Sequence, residues 1–97
     1  RDSVAMEKKN ISKIRKKLDK IDITLLKTIK KRSLLVDQIL KHKKKKKEII
    51  DQKRINFILK RIKEYSKKIK LDPNISLNIW RAMIKGFINY EYKKFKK

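Results

Sequence analysis

The chain is predicted to be all-α: three helices, one long and two shorter, forming an intertwined homodimeric bundle. Three observations predict this. The 97 residues include one Gly, one Pro and no Cys, which leaves almost no turn chemistry and no disulfide framework. Apolar residues recur at helical spacing over most of the chain. A single Asp-Pro pair, Asp72-Pro73, supplies the one clear helix-start signal, with Asp at the cap and Pro at the first helical position.

The first helix is expected from about Lys8 to Lys43, with apolar residues at 11, 14, 18, 21, 25, 29, 36, 39 and 40 and no Gly or Pro inside. At about 1.5 Å per residue it would be on the order of 50 Å long. The lysine run 43–47 reads as a solvated loop or frayed end, because like charges at neighbouring and i,i+4 positions oppose continued helix. The second helix is expected over 51–69. It opens on Asp51 as N-cap and carries Ile55, Ile58, Leu59, Ile62, Tyr65 and Ile69 on its apolar face. The third is expected over 73–95, with Leu77, Trp80, Ile84, Phe87 or Ile88, and then Glu91 in its stripe. Lys93, Lys94, Lys96 and Lys97 suit a helix C-terminus electrostatically. Residues 1–97 are thus expected to form a single domain.

Helix lengths imply a partner. Two shorter helices do not cover a first helix of about 36 residues, and a chain this small buries a modest fraction of its surface. Packing the long helices of two copies together is the economical solution.

The net charge of +22 invites a nucleic-acid reading, since phosphate backbones reward lysine density without demanding geometry. The cations are not equivalent, however. Of 32, only six are Arg, while Ile, Lys and Asn abound, the usage of an AT-rich coding sequence. Each Arg is then the exception, and Arg offers a planar bidentate fork for carboxylates that Lys cannot reproduce. Lone His42 inside the lysine run and the absence of Cys argue against a metal site. No apolar run approaches a membrane span, the first ten residues hold no signal-peptide core, and a cytoplasmic protein is expected.

Reading every fourth and third residue from Ile11 gives Ile11, Arg15, Leu18, Asp22, Leu25, Ile29, Arg32, Val36, Ile39 and Lys43. This row should face a packed interior, where charges are costly unless something meets them. Arg32 and Lys43, eleven residues apart, share a face and can reach one small anion. Arg15 lies about 25 Å from Arg32 and is rotated off that face. It can join them only from an antiparallel second chain. Salt bridges, such as Arg15 with Asp19 or Arg54 with Asp51, are the competing explanation.

The ordered set Ile14-Arg15-x-x-Leu18-x-x-Ile21-Asp22-x-x-Leu25-Leu26, Arg32, Lys43, Asp51-x-x-Arg54, Leu71-Asp72-Pro73 and Ile79-Trp80-Arg81-Ala82-x-Ile84 resembles the all-helical (AroQ-class) chorismate mutases over about Lys8 to Tyr92. The resemblance implies a three-helix dimer that rearranges chorismate to prephenate on the route to phenylalanine and tyrosine, with no cofactor. It implies that Arg15 of the other subunit and Arg32 clamp the two substrate carboxylates. Lys43 would contact a carboxylate and the ether oxygen, Asp51 the ring hydroxyl, and Arg54 would organise the site. Glu91 stands where such enzymes place a Gln or Glu that donates a hydrogen bond to the ether oxygen. Glu donates only when protonated, so activity is expected to fall as pH rises.

Two positions depart from the family pattern. Ile55 replaces the Glu that usually follows the Arg54 equivalent, and Phe87 replaces a small Ser near the site. Both make the pocket more apolar and resemble the family's isochorismate-pyruvate lyase relatives. Those relatives lack the Asp51 equivalent, which is present here. Chorismate mutase is therefore the expected activity, with the lyase as the alternative and a basic helical nucleic-acid binder as a further one. Trp80, Leu77 and Ile84 are expected in the core.

Overall fold

The computed structural model describes residues 2–96. Three α-helices in chain order account for most of them, α1 (Asp2–His42), α2 (Gln52–Lys68) and α3 (Pro73–Lys94), with a short 3-10 turn at Lys46–Glu48 between the first two. The described residues contain no strand. Arg1 and Lys97, the ends of the expected domain, lie outside the described residues. The chain divides into two units, Arg1–Val36 and Asp37–Lys97.

The first unit is helix alone. It begins at Asp2 rather than near Lys8, because Ala5, Met6, Glu7 and Lys8 are helix-compatible and nothing breaks the run. Every described side chain from Ser3 to Lys31 is exposed. Ile14, Leu18, Ile21 and Leu25 are 57, 53, 56 and 54% exposed. The row expected to face an interior is therefore uncovered along most of its length.

The second unit holds the core. Helices α2 and α3 pack against each other, and the last residues of α1 contribute Leu40, which is buried. Ile39, expected on the packed row, is exposed instead; Leu40 and half-buried Asp37 occupy the covered side, one residue round the helix. On α2, Ile55, Ile58, Leu59 and Ile62 are half-buried as their spacing requires, whereas Tyr65 and Ile69 are exposed. The inner position near that end belongs to Ser66, which is buried and faces buried Ser76 of α3. Leu77, Trp80, Ile84, Phe87 and Ile88 are half-buried along α3.

The joints are locally determined. Asp51 caps α2 by accepting the Arg54 backbone N–H at 3.1 Å, and Asp72 caps α3 through Asn74 N–H at 2.9 Å, each satisfying an otherwise orphaned donor. Helix α2 ends with Lys70 in the left-handed region at φ 60°. The Leu71 N–H reaches Ser66 O and the Lys70 N–H reaches Lys67 O, the paired bonds of a Schellman cap.

Candidate functional site

Lys43 follows directly on α1, which ends at His42. Its backbone N–H bonds Leu40 O at 3.1 Å, an i→i−3 bond that tightens the last turn of α1. The turn is fixed by Glu48, whose carboxylate accepts the N–H groups of Lys44 and Lys45 at 3.1 and 2.8 Å. An acid directly after five lysines thus orders a segment that charge repulsion would otherwise open. Ile49 anchors the far side, only 3% exposed.

This turn directs the Lys43 side chain inward. Its Nζ donates to Glu91 Oε1 at 3.1 Å and lies 3.5 Å from the Ile49 carbonyl. The two side chains are 18 and 9% exposed. This salt bridge joins positions 48 residues apart. Glu91 itself is 7% exposed and sits in α3. An ammonium and a carboxylate taken this far from water need each other, and the Lys43 head retains donor capacity that a ligand can use.

Ile55 on α2 and Phe87 on α3 are half-buried. The Phe87 ring meets Tyr90 edge-on, with centroids 6.5 Å apart at 86°. Tyr90 O–H donates to Asp37 Oδ1 at 2.7 Å. That hydrogen bond, then burial, then the negative charge of Asp37 raise the Tyr90 pKa above the usual tyrosine value. Lys94 lies over the same ring, 5.8 Å from its centroid.

The second unit thus brings Lys43 and Glu91 together, and Asp51 with Arg54. Asp51 holds the backbone N–H of Arg54 rather than its guanidinium, which stacks over Phe57 at 5.2 Å. Both residues are exposed. Arg15 and Arg32 belong to the first unit, Arg15 exposed and Arg32 half-buried. Among the described residues Arg15 makes no salt bridge with Asp19, although the spacing permits one. No group of His, Asp and Glu among them has the makings of a metal site. No described helix is long and apolar enough to cross a membrane. Sequence reasoning missed the Tyr90–Asp37 bond, because 53 residues separate the partners and neither carries a motif.

Three helices, with a buried lysine–glutamate pair joining the end of the first to the third, define an all-helical protein. The chain belongs to the chorismate mutase type II family, whose model matches residues 14–92. It is thus an isomerase-type enzyme with chorismate as substrate, the activity that supplies prephenate for phenylalanine and tyrosine. No curated protein and no solved structure matches the chain.

Proposed function

We propose that this chorismate mutase works as a homodimer of one-domain chains. Each site takes Arg32, Lys43, Asp51, Arg54 and Glu91 from one chain and Arg15 from the other, with Ile55 and Phe87 lining it. The observation that carries the reading is the buried Lys43–Glu91 pair. Its two members are the residues the family resemblance assigns to the substrate's ether oxygen. Support for the dimer comes from the uncovered apolar side chains of α1, a patch larger than a lone soluble helix keeps in water.

The reaction breaks a C–O bond and forms a C–C bond within one molecule, without proton transfer. The protein's task is therefore to hold a compact conformer and to stabilise negative charge growing on the departing oxygen. Arg15 and Arg32 would hold the carboxylates by bidentate hydrogen bonds. Lys43 would turn part of its ammonium from Glu91 to the substrate. Relieved of that counter-charge, and carrying a proton, Glu91 would donate to the ether oxygen. Asp51 is able to accept a hydroxyl proton with its second oxygen while the first caps α2.

Ile55 and Phe87 set the remaining walls, and Ile55 leaves the substrate hydroxyl to Asp51. We place the enzyme in the cytoplasm, a reading supported by a chain without cysteine. Chorismate and isochorismate, assayed side by side with purified protein, test the proposal. Prephenate from chorismate, lost on Arg32→Ala, is the expected result; pyruvate from isochorismate with chorismate untouched would overturn it.

A further inference from the structure

The Lys43–Glu91 pair depends on how the end of α1 meets α3, because Lys43 follows α1 and Glu91 lies on α3. Near that meeting a second polar tie joins the same two helices. Tyr90, the neighbour of Glu91, donates its hydroxyl proton at 2.7 Å to Asp37, which lies six residues before Lys43. Phe87 backs the Tyr90 ring edge-on and Lys94 covers it. Neither Tyr90 nor Asp37 is needed for the fold by composition, since an apolar pair at these half-buried positions would pack without a directional bond. A hydrogen bond fixes distance and angle where apolar packing tolerates sliding.

We propose that Tyr90 is a positioning residue for the mutase site, its hydrogen bond to Asp37 setting the register in which Lys43 and Glu91 meet. The inference rests on the site proposed above. A displacement of about 1 Å between charge and reacting atom is enough to cost up to a hundredfold in rate, so a tie with no substrate contact has leverage on kcat.

The test is a double-mutant cycle on chorismate turnover, with folding checked by circular dichroism and thermal melting. Tyr90→Phe, which keeps the ring and removes the donor, is expected to lower kcat about tenfold with KM changed less than about threefold. Asp37→Ala should do the same. Asp37→Asn, which keeps an acceptor oxygen, should restore most of the rate. In a Glu91→Ala background Tyr90→Phe should cost little more, because its effect passes through Glu91. Full kcat in folded Tyr90→Phe, or effects that multiply with Glu91→Ala, would overturn the inference. An unimpaired Glu91→Ala enzyme would instead remove Glu91 from the site and take the inference with it.

Discussion

Glu91 decides the chemistry at the scale of single residues. In the free protein its carboxylate is paired with Lys43, and an ionised carboxylate accepts hydrogen bonds but does not donate them. The proposed mechanism needs a donor opposite the ether oxygen, so Glu91→Gln, a permanent donor, should keep most of kcat for chorismate while Glu91→Ala loses at least about tenfold; equal kcat in the two variants would exclude Glu91 from the mechanism. Register and family resemblance single out Lys43, Arg32 and Arg15 among the 32 cations. The structure adds the reason Lys43 differs from its neighbours: Glu48 binds the N–H groups of Lys44 and Lys45, and Lys43 alone of the run is half-buried. No motif signals that role for Glu48. It is read only from the folded turn.

Among elements, the joints between helices were partly legible. Asp51 and Asp72-Pro73 announce their helices, and both aspartates cap. The end of α2 was less so, because the left-handed position of its Schellman cap holds Lys70 where Gly is usual. Lys70→Gly should raise stability by about 0.5–1 kcal/mol, read from urea unfolding, the relief of backbone strain outweighing the greater entropy of the unfolded chain. Ser66 and Ser76 escaped the periodic pattern for a different reason: both are polar, yet both are buried. Their oxygens are 2.7 Å apart and Ser66 Oγ is 2.6 Å from Ile62 O. One hydroxyl has one proton, so Ser66 donates to the carbonyl and accepts from Ser76. Ser66→Ala should cost about 1 kcal/mol by stranding Ser76, and the double Ala variant should cost less than the two singles together.

The Tyr90–Asp37 tie between α1 and α3 also has a pH signature. A phenol whose pKa is raised in the fold contributes stability that is complete below the unfolded value of about 10 and disappears as pH climbs through the folded value. Asp37 accounts for the shift, and Lys94 covers the same ring. Melting temperature should therefore decline as pH rises above about 10, and less steeply in Tyr90→Phe. Equal slopes in the two proteins would remove the phenol as the titrating group.

At the scale of the whole molecule, the first helix is the element a single chain leaves unsatisfied. Its periodicity was plain in the sequence, but periodicity shows only that a face is apolar, not what covers it. Leu18 and Leu25 remain more than half exposed. A charge at Leu18, as in Leu18→Glu, should convert a dimer into monomers on size-exclusion chromatography and abolish turnover with it. A monomeric wild-type protein with full activity would contradict the dimer. A +22 charge that steers an anionic substrate predicts that raising ionic strength reduces kcat/KM more than kcat; an equal effect on both would leave the charge without a role in encounter.

Subunit complementation tests the shared site most directly. Arg15→Ala and Arg32→Ala each remove one carboxylate clamp from every site of their own homodimers, and each protein should be nearly inactive alone. Unfolded together and refolded as an equal mixture, half the dimers pair unlike chains, and each of those holds one complete site of two. The mixture should then regain about one quarter of the wild-type chorismate mutase activity. A mixture as inactive as its components, from variants shown to exchange subunits, would contradict a site built from two chains.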